Sequence, residues 1–168
     1  EHIIVDDGSD DNGDTVRILR EYPHLRWWSR PNKGQYASQN EALSVATGDI
    51  VCVISADDVM VTPHTLSVVA AAWDRNPTLD VLYGKALHMS SNGELLPYQL
   101  ELNGFFASRV YRHHLFIQHC SLFASRKTVI GNAIWFDPGF AYAGDWDWII
   151  RLLDASRSVE YLPIAFSI

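Results

Sequence analysis

Cysteine is nearly absent from this 168-residue sequence, which holds only Cys52 and Cys120. Two are too few for the disulfide framework of a small secreted scaffold, and neither has the paired spacing of a zinc site. Cys52 lies in the apolar run Ile50-Val51-Cys52-Val53-Ile54 and reads as a buried thiol. A single disulfide between the two stays open, with a reduced cytoplasmic setting as the better expectation. Positive charge is also scarce. Thirteen Lys and Arg stand against twenty Asp and Glu, a net charge of −7. A protein that grips a phosphate backbone needs a basic face, so no nucleic-acid partner is expected. No apolar run approaches the roughly 18 residues of a membrane span, and there is no internal repeat, linker or low-complexity tract. What remains is 48% hydrophobic and 20% charged, which is ordinary for a globular chain. The length suits one domain with a substantial core.

The order of elements is more informative. Residues 1–5 form a short apolar run that breaks at Asp6-Asp7-Gly8-Ser9, a strand entering a polar loop. Residues 14–22 carry Ile18, Leu19 and Tyr22 on one helical face, and Pro23 stops them. Residues 25–29 suit a strand, and 35–46 a helix stopped by Gly48. The β-branched run 50–54 reads as a parallel strand covered on both faces. Thr62-Pro63 predicts a helix start, Thr as cap and Pro in the first turn, running to about Arg75 before Pro77. Residues 80–83 suit another strand. This alternation predicts a layered α/β domain with a mostly parallel sheet. In the second half, 86–90 and 94–98 flank Ser91-Asn92-Gly93 as a hairpin, a small antiparallel addition. Residues 145–155 form a helix with Trp146, Ile149, Ile150 and Leu153 on one stripe.

Ligands of open α/β sheets bind beyond the carboxyl ends of the strands. Two expected strands end there in paired carboxylates, Asp6-Asp7 and Asp57-Asp58. Taken alone, each pair is as well explained as a turn, a helix cap or a solvated loop. Brought to one edge, the two pairs repel unless neutralised. A hard divalent cation, Mn²⁺ or Mg²⁺, held by one or two carboxylates and by substrate phosphates, would neutralise them. Asp145 opens the last helix. That position stabilises the helix electrostatically, and it also keeps a carboxylate ionised and able to take a proton. Asp147 stands four residues before Arg151 and reads as a structural ion pair.

With these segments in view, the chain resembles glycosyltransferase family 2, the nucleotide-sugar-dependent enzymes with a GT-A fold. Residues 1–9 resemble that family's second strand and aspartate loop. Asn32-Lys33-Gly34 through Asn40, then Ala46-Thr47-Gly48-Asp49-Ile50, resemble the approach to its metal motif, and Ser55-Ala56-Asp57-Asp58 the motif itself. Gln118-His119-Cys120-Ser121-Leu122-Phe123 resembles the stretch below the acceptor, and Gly144-Asp145-Trp146-Asp147-Trp148 the catalytic-base segment. The similarity runs from about residue 1 to 155. It implies a single glycosyltransferase domain over 1–168, with a nucleotide-sugar half (1–84) and an acceptor and base half (85–168). It assigns Asp7 to the nucleotide base, typically uracil. Lys33 joins the nucleotide-binding residues, and Asp57 goes to the ribose and diphosphate. Asp58 becomes the ligand of the divalent cation and Asp145 the general base. His119 lines the site or simply packs. The implied reaction is inverting transfer of one sugar, the donor a UDP-sugar and the acceptor a glycan or lipid-linked hydroxyl. The implied location is cytoplasmic, with a possible peripheral place at the inner face of a membrane.

Several positions depart from the family pattern. Ser55 stands where aspartate is frequent, Gly144 where glutamate is frequent, and Gln39 where arginine is frequent. The Gln-x-x-Arg-Trp motif of processive synthases is absent, which favours single-sugar transfer. A βα unit of about thirty residues that the family places before the first segment is missing from the sequence. Strands 2–5 and 50–54 are therefore expected either to pair directly or to leave exposed edges that favour self-association. Two competing readings follow. One is a non-catalytic nucleotide-sugar-binding fragment. The other is a nucleotidyltransferase, disfavoured because the visible loops are acidic.

Overall fold

The computed structural model describes residues 1–96, 109–113 and 117–168. The chain opens with β1 (Ile3–Asp6), α1 (Asp14–Arg20), β2 (Arg26–Ser29) and α2 (Gln35–Val45). Asp11 fixes the start of α1 by accepting from the Thr15 amide (2.9 Å) and hydroxyl (2.6 Å). β1 and β2 pair in parallel, Ile3 opposite Arg26 through Asp6 opposite Ser29. β3 (Ile50–Val51), α3 (Thr65–Arg75) and β4 (Val81–Ala86) follow, then a short antiparallel pair, β5 (His88–Met89) and β6 (Leu95–Leu96). The expected hairpin is thus present where it falls within the described residues, and 97–98 lie outside them. A 3₁₀ turn at His119–Ser121 leads into β7 (Leu122–Ser125), α4 (Arg126–Gly131), α5 (Gly144–Ala155) and β8 (Val159–Ser167).

The strand-helix alternation of the first half is as the sequence predicts, and the class is α/β. The strands form a β1-β2 pair and a four-stranded sheet in the order β3-β7-β4-β8. β4 pairs in parallel with β8 and antiparallel with β7. Alternation along β4 builds both faces: Val81 and Tyr83 join one core, Leu82 the other, none more than 1% exposed. The first core takes Tyr36 and Leu43 of α2 and Trp148, Ile149, Leu152 and Leu153 of α5. The second takes Val69 and Ala72 of α3 with Phe123 and Phe166. Each such side chain contributes about 1.5–3 kcal/mol by leaving water. Gly84 lets β8 cross closely, since a Cβ there would sit 2.7 Å from the Ile164 carbonyl and from the Phe166 ring.

Three local expectations change. The run 50–54 is not a parallel strand: only Ile50 and Val51 pair, antiparallel, with Ser125 and Ala124. β3 is an edge strand paired on one side, and beyond Val51 the chain leaves it as a loop. α3 begins at Thr65 rather than at Thr62-Pro63, because the Thr62 hydroxyl accepts from the His64 amide and Thr62 to Thr65 forms a turn. The α5 stripe is rotated: Trp148, Ile149, Leu152 and Leu153 are buried, while Trp146 and Ile150 are half-buried. The α5 ion pair between Arg151 and Asp147 forms as expected, at 2.6 Å. β1 and β3 do not pair, so among the described residues each leaves one edge without a strand partner.

Candidate functional site

The loop after β1 is held by its own carboxylates. Asp6 is buried and accepts from the Ser9 amide (3.0 Å) and hydroxyl (2.6 Å), which closes a turn and leaves Asp7 half-buried beside it. Asp7 Oδ1 accepts from the Lys33 amide at 2.8 Å and is reached by the Arg30 guanidinium. Burial pushes the Asp7 carboxyl up, yet the Lys33 amide and Arg30 outweigh it and hold the group below its ordinary range. Arg30 also pairs with Glu41 at 2.8 Å and donates to the Ser38 hydroxyl at 3.0 Å, so it ties the loop to α2. The Lys33 ammonium is well exposed and rests on Glu41 at 3.2 Å.

The Ser55-Ala56-Asp57-Asp58 loop is fastened at its far end. The Asp58 amide donates to the Ser55 carbonyl (3.2 Å), and Val59 and Ile168 exchange backbone hydrogen bonds at 2.9 and 3.0 Å. Asp57 is exposed and Asp58 half-buried. Burial pushes the Cys120 thiol up, and the charge of Asp58 adds to the rise. Both cysteines are free thiols, which leaves the disulfide alternative unrealised.

Asp145 sits in the first turn of α5, where the helix dipole favours an anion. Its Oδ2 lies 3.4 Å from His119 Nδ1, and the two side chains are only 19% and 13% exposed. His119 holds the Asp145 carboxyl below its ordinary value against the opposing effect of burial. On its other side the ring meets the Ser55 hydroxyl, Nε2 to Oγ 3.2 Å.

The two ends of the site are bridged through α2. The Gly144 amide donates to the Tyr36 hydroxyl at 2.8 Å. The Tyr36 ring begins a stack with Phe136 (5.8 Å between centroids) and Trp148 (4.7 Å). Asn40 clamps Phe136, donating to its carbonyl and accepting from its amide, both at 2.8 Å. This fixes the segment that delivers Asp145. Above the stack lies a cavity of about 220 Å³ between Lys33–Ala37 and the loop of Pro138, Phe140 and Ala141. A Cβ on Gly144 would fall 2.6 Å from the Tyr36 ring, so the glycine at this departure from the family pattern is a steric requirement.

Contacts therefore run unbroken from Asp7 through Lys33, the start of α2 and Tyr36 to Gly144-Asp145, then through His119 to Ser55 and its loop. The sequence motifs do not mark Arg30, though a basic residue closing a strand beside the aspartate loop is a visible signal. Asn40 falls within a family-like segment and Tyr36 is one of several aromatics able to stack on a sugar, but neither carries a signal for the role it has here. Among the described residues no three His, Cys, Asp or Glu side chains converge as a metal cage. Asp58, with Asp57 beside it, offers hard carboxylate oxygens. That donor set fits a cation whose remaining ligands are phosphate and water.

Comparison with known proteins identifies the family and the fold. The family described as Glycosyl transferase family 2 matches residues 1–132. An uncharacterized glycosyltransferase of Mycobacterium tuberculosis, Rv1514c, is 25% identical over 155 residues, 90% of this chain and 56% of the relative. Among solved structures, S. aureus TarS 1-349 in complex with UDP-GlcNAc superposes with a TM-score of 0.75 at 23% identity, covering 98% of this chain and 48% of that one. The mannosyltransferase PcManGT of Pyrobaculum calidifontis, in complex with GDP-Man and Mn²⁺, gives a TM-score of 0.60 at 19% identity, covering 96% and 45%. The chain thus spans about half the length of the relatives it matches. The family match over most of its length, together with a shared architecture, makes this chain a member of glycosyltransferase family 2 with the GT-A fold.

Proposed function

We propose that the chain transfers one sugar from a nucleotide diphosphate sugar, a UDP-sugar first of all, to an acceptor hydroxyl with inversion at the anomeric carbon. The observation that carries this reading is Asp145 at the start of α5, separated from the Ser55–Asp58 loop by a single imidazole that holds its carboxyl below its ordinary range. Asp145 takes the proton from the acceptor hydroxyl. That oxygen bonds to the anomeric carbon as the bond to the nucleotide's phosphate oxygen breaks on the opposite face, and the nucleoside diphosphate leaves. A divalent cation held at Asp58 would supply charge neutralisation for the departing diphosphate. Asp7, Lys33 and Asp57 orient the nucleotide. The UDP-GlcNAc held by TarS and the Mn²⁺ held by PcManGT support the donor class and the cation.

No described helix is long and apolar enough to cross a membrane. Separately, we propose a cytoplasmic setting in which the protein meets a glycan or lipid-linked acceptor at the membrane's inner face, in cell-surface glycan synthesis. Among the described residues β1 and β3 each leave one edge without a strand partner, which favours self-association and is read directly by light scattering across a concentration series. The second reading is a non-catalytic nucleotide-sugar-binding fragment. Release of UDP from UDP-GlcNAc decides between the two. Asp145→Asn should cut turnover by about 10²–10⁴ and spare UDP affinity. Equal loss of both would remove Asp145 from the role of base. UDP binding without release, in the wild type and against every acceptor offered, would leave the second reading standing.

A further inference from the structure

We propose that His119 is a positioning residue that locks the Asp145 carboxylate and the Ser55 end of the donor loop into one register. It does so with Nδ1–H toward Asp145 and Nε2 accepting from the Ser55 hydroxyl. The proposal rests on Asp145 being the base.

Of the two neutral tautomers, one suits this geometry. An ionised carboxylate only accepts, so a ring nitrogen facing it at 3.4 Å must carry a proton. In a neutral imidazole the other nitrogen then holds a lone pair, and the Ser55 hydroxyl at 3.2 Å becomes its donor. The opposite tautomer sets a lone pair against the carboxylate. His119 Nδ1 is buried and has no aligned hydrogen-bond acceptor. At 3.4 Å its contact with Asp145 lies beyond the usual 2.7–3.2 Å. A shift of a few tenths of an ångström turns it into a charge-assisted hydrogen bond.

The turn carrying His119 is immobilised behind the site. Ser121 donates to the Lys85 carbonyl at 2.7 Å and bonds the Ser167 hydroxyl at 2.6 Å. The histidine of this turn spans the space between Asp145 and the Ser55 end of the donor loop. Ser55, one of the departures from the family pattern, gains a reason: a hydroxyl there donates to Nε2, which an ionised aspartate cannot do.

The experiment is long-range ¹⁵N NMR of the His119 ring, paired with kinetics of His119→Asn and His119→Gln. The asparagine amide occupies the place of Nδ1, the glutamine amide that of Nε2. A protonated Nδ1 in the wild type that is lost in Asp145→Ala supports the proposal; an Nε2–H tautomer overturns it. Where UDP binds with Mn²⁺, His119→Gln should keep that affinity and lose about 100-fold in turnover, since misplacement near 1 Å costs that much. His119→Asn should recover most of the loss. Unchanged turnover in His119→Gln, or loss of UDP affinity in step with turnover, overturns the proposal. Failure of the wild type to bind UDP instead strikes the donor reading, and the tautomer still judges the histidine contact.

Discussion

Replacing Gly144 by alanine tests the packing that aims Asp145. The added Cβ would lie 2.6 and 2.7 Å from two Tyr36 ring carbons and 3.1 Å from Phe140 Cβ. The Phe140 contact is the milder one, and the Tyr36 ring is buried and stacked on Phe136. Overpacking of this kind costs about 1–3 kcal/mol. Alanine in place of helical glycine returns about 0.5–1 kcal/mol. In the wild-type background the clash wins, and the variant should be about 1–2 kcal/mol less stable. In a Tyr36→Leu background the offending ring atoms are gone, so Gly144→Ala should become neutral or stabilising. Urea unfolding of all four proteins gives the coupling, expected at about 1–3 kcal/mol. An equal cost in both backgrounds would refute the steric account of Gly144.

Other consequences follow from the same framework. Asn40→Ala leaves the buried Phe136 amide and carbonyl without partners and should cost about 2–6 kcal/mol by urea unfolding, each orphaned group contributing about 1–3. Asn40→Asp keeps the acceptor, loses the donor, and should fall between alanine and wild type. Glu41 is held down to about 2, chiefly by its hydrogen bond to Arg30. Its folded value lies below its unfolded one, so its contribution is full above about pH 4.5 and fades as pH falls toward 2. The gap in urea midpoint between wild type and Glu41→Gln should therefore shrink over that window; a constant gap would contradict the pairing.

Part of the candidate site is legible because Asp6-Asp7 and Asp145 sit at a strand end and a helix start, where breakers and charges stand out; Asp57-Asp58 lie in a loop well beyond β3. The abrupt change from apolar residues to Asp6-Asp7, the glycine before α2 and the carboxylate opening α5 each mark a real boundary. The run 50–54 misled for a physical reason. Five β-branched and apolar residues announce burial, but strand length depends on a partner, and only Ile50 and Val51 find one in β7. Thr62-Pro63 has the sequence of a helix start, but the Thr62 hydroxyl serves a preceding turn. The α5 stripe slipped because Trp146 and Trp148 are equally apolar on paper; Trp148 is buried beneath Phe136, with its indole N–H donating to the Ile134 carbonyl at 2.9 Å. The bond between Tyr36 and Gly144 joins residues 108 positions apart, and no local pattern announces it.

The most direct test of the donor site is calorimetric titration of UDP, with and without Mn²⁺, into the wild-type chain and into Asp58→Ala. The account predicts UDP binding that strengthens with Mn²⁺ and loses that dependence in Asp58→Ala while the variant stays folded. UDP affinity indifferent to Mn²⁺, or a dependence surviving unchanged in Asp58→Ala, would contradict it.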